Sequence, residues 1–140
     1  MLNIPPNAEE LLDKSPLSGA SCVFIKISDE WGIKAYHDDE CIRDHCFNTQ
    51  AAWSEYGFGP PVGETFRIGE YYCYSTRVAE VLIDPQADCY TWDKVEQKYK
   101  SLLWKRELEM EGEGFHVCDG HIANWGYYDG ELVLIDFDHV

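Results

Sequence analysis

The last quarter of the chain holds the side chains best suited to chemistry. It reads Cys118-Asp119-Gly120-His121-Ile122-Ala123-Asn124-Trp125-Gly126 and, further on, Leu134-Ile135-Asp136-Phe137-Asp138. Asp119 and Asn124 stand five residues apart on a predicted loop. Asp136 follows Asn124 by twelve residues, at the exit of a predicted strand. The stretch between reads as a β-hairpin: Trp125 to Tyr128, the turn Asp129-Gly130, and the apolar strand Leu132 to Ile135. A hairpin brings the chain back to where it set out, so the three oxygen-bearing side chains converge. Carboxylate and carboxamide oxygens suit Mg²⁺, with water and phosphate in its remaining positions. A separate carboxylate near such a cation can accept the proton of a hydroxyl.

These residues need elements to hold them. Residues 1 to 20, punctuated by Pro5, Pro6, Pro16 and Gly19, read as an irregular lead-in. Ser21 to Ser28 and Trp31 to His37 are rich in β-formers and are predicted to pair as a hairpin. Asp38 to Tyr56 lacks Gly and Pro, opens on three acidic residues, and repeats Ile42, Cys46, Phe47, Gln50 and Trp53 at helical spacing. Gly57 and Gly59-Pro60-Pro61 stop that helix. Thr65 to Ile68 and Tyr71 to Leu82 read as strands joined at Gly69. Thr91 is a predicted N-cap for a helix to about Met110, with Trp92, Val95, Tyr99, Leu102 and Leu103 on one face. The order of elements predicts an α+β domain.

The chain has 140 residues, 45% of them apolar, which is a single globular domain's composition. No apolar run has membrane-spanning length and the first ten residues lack a signal-peptide pattern, so the cytoplasm and no membrane partner are expected. The net charge of −15 disfavours direct nucleic-acid binding and leaves basic partners open. Six cysteines without a C-x-x-C pair predict free thiols, mostly buried. Cys41, His45 and Cys46 lack a second ligand pair at zinc spacing.

The terminal pattern is similar to the catalytic loop H-R-D-x-x-x-x-N and the metal loop D-F-G of the protein-kinase-like phosphotransferase fold. His121, two after Asp119, and Asp136-Phe137-Asp138 resemble the D-x-H-x-x-N and I-D-F-D forms of aminoglycoside-phosphotransferase and choline-kinase relatives, or of small phage kinase-like proteins. The resemblance implies a minimal kinase-like fold: an antiparallel N-lobe sheet with one packed helix, then one long helix and a catalytic-loop β-hairpin. A single reduced domain would span 1–140, with an N-lobe-like part, 1–83, and a C-lobe remnant, 84–140.

It also implies ATP and Mg²⁺ as cofactors. Asp119 falls on the catalytic aspartate, with His121 beside the transferring phosphate. Asn124 and Asp136 fall on the metal ligands, with Asp138 as a further one. Trp31-Gly32-Ile33-Lys34 lies where the phosphate-binding lysine is expected, and Ala79, Glu80, Val81 and Leu82 lie near the adenine edge. Gly57-Phe58-Gly59-Pro60-Pro61-Val62 resembles the G-x-x-P-x-V that follows the packed helix.

The departures are specific. Of the phosphate-covering glycines only Gly19 is present, and Leu17 and Cys22 flank it. Gln50 stands where an acidic partner for Lys34 is expected, and Glu55 reads as surface. His116 reads as structural. No activation segment or floor helix follows Asp138, so the helix 91–110 is expected to expose an apolar side to a protein partner or a second copy. The implied function is a nucleotide-binding candidate phosphotransferase. The alternatives are an inactive kinase-like binding module or inhibitor, phage-borne, that docks on a host protein, and a segment of a longer kinase.

Overall fold

The computed structural model describes residues 2–18, 22–84, 86–118 and 120–138. Its elements are α1 (Ala8–Lys14), β1 (Leu17–Ser18), β2 (Cys22–Lys26), β3 (Trp31–His37), α2 (Glu40–Glu55), β4 (Val62–Ile68), β5 (Tyr71–Arg77), β6 (Glu80–Val81), α3 (Cys89–Gly112), a single 3₁₀ turn (Ile122–Asn124), β7 (Trp125–Tyr128) and β8 (Glu131–Leu134). The α+β class is as expected. Five antiparallel strands form one sheet in the order β1-β2-β3-β5-β4, and three form a second, β6-β7-β8. No helix among the described residues is long and apolar enough to cross a membrane.

Strand alternation sorts the first sheet into two faces. Val23, Ile25, Ile33, Ala35 and Cys73 face α1, which buries Leu12 among them. Cys22, Tyr36 and Tyr74 face α2, which buries Cys46 against them. The second sheet joins α3 through a separate core of Leu103, Met110, Ile122, Trp125, Leu132 and Leu134. Trp53 at the end of α2, Phe58 and Phe137 belong to this same core. Trp53 meets Phe137 edge to face at 5.6 Å and Phe115 at 5.2 Å. Such pairs each add about 0.5–1.5 kcal/mol beyond area burial, so α2 is fastened to the C-terminal half as well as to the sheet. Arg106 of α3 adds a polar tie. Its guanidinium donates to Leu132 O and Gly57 O, both at 2.9 Å, and lies over the Phe58 ring.

Several boundaries differ from expectation. The lead-in contains α1, because Ala8 and Leu12, one turn apart, both find apolar cover. Pro5 precedes that helix instead of breaking it, and its carbonyl accepts from Ala8 N. The strand expected over 71–82 is two strands in two sheets. After Arg77, Val78 N–H bonds Glu30 O at 3.0 Å, and Glu80 then pairs with Tyr127 of the hairpin. The N-cap of α3 is Asp88, not Thr91: Asp88 Oδ1 accepts from Thr91 N at 2.8 Å. Asp39 caps α2 in the same way through Ile42 N. Leu102 is exposed rather than on the covered side of α3. Three of the six free cysteines, Cys41, Cys89 and Cys118, are exposed, so the thiols are not mostly buried.

Candidate functional site

Lys34 lies on β3 directly opposite Phe24 of β2 and Tyr74 of β5, so all three share the α2-facing side. Its ammonium donates to Gln50 Oε1 at 3.1 Å and to Ile135 O at 2.6 Å. It also sits 5.3 Å from the centre of the Phe137 ring and 5.7 Å from that of Tyr74. The lysine of the first sheet is thereby tied to the residue preceding Asp136. Gln50, fully buried, spends its whole amide. Nε2 donates to Pro60 O at 2.9 Å and to Thr76 Oγ1 at 2.7 Å. Oε1 accepts from Lys34 and from Tyr74 OH at 2.7 Å. The amide orientation follows from these partners, since a flipped amide would set its NH₂ against two donors.

A cavity of about 630 Å³ opens between the two sheets, a size typical of small-molecule sites. Leu17, Cys22, Phe24, Lys34 and Tyr36 line one side; Trp92, His121, Ala123, Asn124 and Asp136 line the other; Ala79 and Val81 close one end. The wall is mostly apolar, with Lys34 the cation nearest Asp136's own loop. Val81 belongs to β6, the outer strand of its sheet. Leu82 N–H bonds Trp125 O at 3.4 Å. Antiparallel alternation then turns the N–H and C=O of Val81 to the strand's open side.

The structure brings together Lys34, Gln50, Val81, His121, Asn124 and Asp136, the first two by contact and all but Gln50 on the cavity wall. Asn124 sits at the end of the 3₁₀ turn, buried, and its backbone N–H caps back to His121 O. Asn124 O in turn accepts from Ile135 N at 2.9 Å, which closes the hairpin ends as its spacing requires. Glu80 and Leu82 do not reach the cavity: Glu80 is exposed, and Leu82 is committed to the hairpin. Asp138 does not reach it either. Its carboxylate accepts from Cys46 Sγ at 3.2 Å and Tyr36 OH at 3.4 Å. Burial pushes the Cys46 thiol up to about 12 and raises Tyr36 well above an ordinary phenol, so both remain donors at neutral pH. Gly19 and Asp119, expected on the phosphate loop and as the proton acceptor, lie outside the described residues. Glu55 is exposed as read. His116 is exposed and paired with Glu111 at 3.0 Å, a surface contact rather than a structural one.

Asn124 and Asp136 offer a carboxamide and a carboxylate oxygen on one wall, a donor set that fits a hard divalent cation. Among the described residues no three His, Cys, Asp or Glu side chains gather as a self-sufficient metal site. Cys41 and Cys46 point to different surroundings, one exposed and one buried. A cation here would need other oxygens, such as those of phosphate.

Phe24, Tyr36 and Trp92 line the cavity without having been assigned to the site from the sequence, whereas Ala79 belongs to the run 79–82 expected near the adenine edge. Cys22, Phe24, Lys34 and Tyr36 were legible in principle, as alternate residues of two paired strands. Trp92 was not, because helical spacing marks a covered face without saying what covers it. Gly126 allows β6 to close on β7: an added Cβ would come within 2.9 Å of Glu80 O. Comparison with protein-family models, with curated proteins and with solved structures finds no match to this chain.

Proposed function

We propose that this chain binds ATP with Mg²⁺ in the cleft between its sheets and is a reduced kinase-like candidate phosphotransferase. One observation carries the reading. A strand lysine (Lys34), the helix residue that holds it (Gln50), and the two hairpin-end oxygen ligands (Asn124, Asp136) meet around one cavity, at the places the motif spacing requires. The sheet order, the helix α2 packed beside Lys34 and the long helix before the hairpin support the same reading, whereas α1 on the opposite face of the sheet is an addition to the one-helix arrangement that the resemblance implies.

In this reading the open side of β6, at Val81, receives the base edge, since backbone donors and acceptors there have no strand partner. Apolar Leu17 and Phe24 cover the base from one side. Lys34 holds phosphate oxygens. Asn124 and Asp136 hold Mg²⁺, which supplies positive charge against the phosphates. Asp119 would accept the proton of an acceptor hydroxyl as its oxygen bonds to the γ-phosphorus and the bond from that phosphorus to the β-phosphate oxygen breaks, releasing ADP, with His121 on the cavity wall. Lys34→Met separates the two ends of the ligand. It is expected to weaken ATP by about tenfold or more, the scale of one charge-assisted hydrogen bond, and to leave adenosine unchanged. Equal loss for both ligands in calorimetry would place the phosphates elsewhere.

A second reading, a docking module without turnover, is favoured by the outward side of α3. Tyr90, Trp104 and Leu108 there are 68%, 65% and 49% exposed, and their spacing puts them on one side of the helix, the pattern of an interaction surface. ATP binding without phosphoryl transfer to water or any hydroxyl compound would select it.

A further inference from the structure

The geometry points to Asp138 as a positioning residue: a latch that holds Asp136 on the cavity wall, rather than a ligand of the cation. This inference rests on the nucleotide reading for its functional half only.

Three consecutive side chains leave the hairpin in three directions. Asp136 lines the cavity. Phe137 is buried against Trp53 and beneath Gly59, where any added Cβ would come within 2.8 Å of its ring. Asp138 turns towards α2 and β3 and takes two hydrogen bonds on one oxygen, from Cys46 Sγ and Tyr36 OH. Its own N–H returns to Asp136 Oδ1 at 3.1 Å, which fixes the rotation of the Asp136 carboxylate. Asp138 Oδ1, which accepts from two buried donors, has little lone-pair capacity left, and the carboxylate is not on the cavity wall, whereas its backbone N–H steers the neighbour that is.

The donors are placed tellingly. Tyr36 is two residues beyond Lys34 on the same face of β3, and Cys46 is one turn before Gln50 on α2. The two elements that hold the cavity's lysine therefore also hold its carboxylate, through separate bonds. Residues that orient a metal ligand in this way typically change metal affinity when removed, without touching the metal.

The test combines Cys46→Ala with Tyr36→Phe, and uses Cys46→Ser as the variant that keeps a donor. In free protein, hydrogen exchange of the Asp138 amide is expected to quicken by about tenfold or more in the double variant, as two hydrogen bonds are lost. Cys46→Ser should stay near wild type. The Mg²⁺ concentration for half-maximal ATP binding should rise by about tenfold in the double variant, with the melting cooperativity kept. Unchanged exchange in the double variant overturns the latch whatever the ligand proves to be. Faster exchange with an unchanged Mg²⁺ requirement overturns its positioning role. If Asp138→Ala abolishes the Mg²⁺ effect while the double variant does not, Asp138 is a ligand and the proposal fails. A wild-type protein that binds no ATP overturns the nucleotide reading, and the exchange experiment still decides the latch.

Discussion

Gln50→Glu is the substitution that restores the expected acidic partner to Lys34, and the structure predicts that it harms the protein. The amide makes four hydrogen bonds, of which two use its N–H groups. In the carboxylate those two become oxygen–oxygen contacts. Thr76 can turn its hydroxyl to donate, giving up its bond to Arg77 O. Pro60 O has no hydrogen to offer and stays buried against a negative oxygen. One such unmade buried bond costs about 1–3 kcal/mol. Lys34 already gives a charge-assisted bond to Gln50, so full ionic pairing at this half-buried site returns only about 1 kcal/mol. The net loss is about 1 kcal/mol, within a range of about 0–2, a fall of roughly 3–4 °C in Tm for a domain of this size. Thermal melting checks it, with ATP titration alongside. A higher Tm, or tighter ATP binding, in Gln50→Glu would show that Gln50 is a weakened glutamate and refute the argument.

The thiols should divide by exposure. An alkylating reagent at pH 8, followed by mass spectrometry, should label Cys41, Cys89 and Cys118 rapidly. Cys22, Cys46 and Cys73, pushed by burial to about 11, 12 and 12, should react only on unfolding; fast labelling of Cys46 would contradict its burial. The backbone N–H of Thr91 lowers the Asp88 carboxyl below its ordinary value. A lowered carboxylate stabilises above its unfolded pKa and loses that contribution as pH falls through the folded one. Wild type should therefore lose melting temperature below about pH 4 more steeply than Asp88→Asn, which caps without titrating; parallel curves would remove Asp88 as the α3 cap.

Which features were legible follows from the range of the forces involved. Hairpin 125–134 announced itself through Asp129-Gly130, and both are left-handed, at φ 52° and 81°. Helix α2 announced itself through the spacing of Cys46, Gln50 and Trp53, all buried as read. The meeting of Lys34, Asn124 and Asp136 at one cavity was readable because motif spacing encodes a closure that local geometry then enforces. The errors fall where long-range partners decide. Arg77-Val78-Ala79 continues a β-rich run, and only Glu30 and the distant hairpin make it change sheets. α1 is seven residues long and too short to be stable alone; it exists because the open face of β2, β3 and β5 covers Leu12. Asp138 shared a motif with Asp136, and no spacing rule distinguishes a carboxylate aimed at a cavity from one held by a thiol one helix away.

Calorimetric titration of ATP, with and without Mg²⁺, into wild type and Asp136→Asn tests the central claim most directly. Wild type is expected to bind ATP more tightly with Mg²⁺, and Asp136→Asn to lose that Mg²⁺ dependence with its melting transition preserved. Binding that ignores both Mg²⁺ and Asp136, or no binding under any condition, would contradict it.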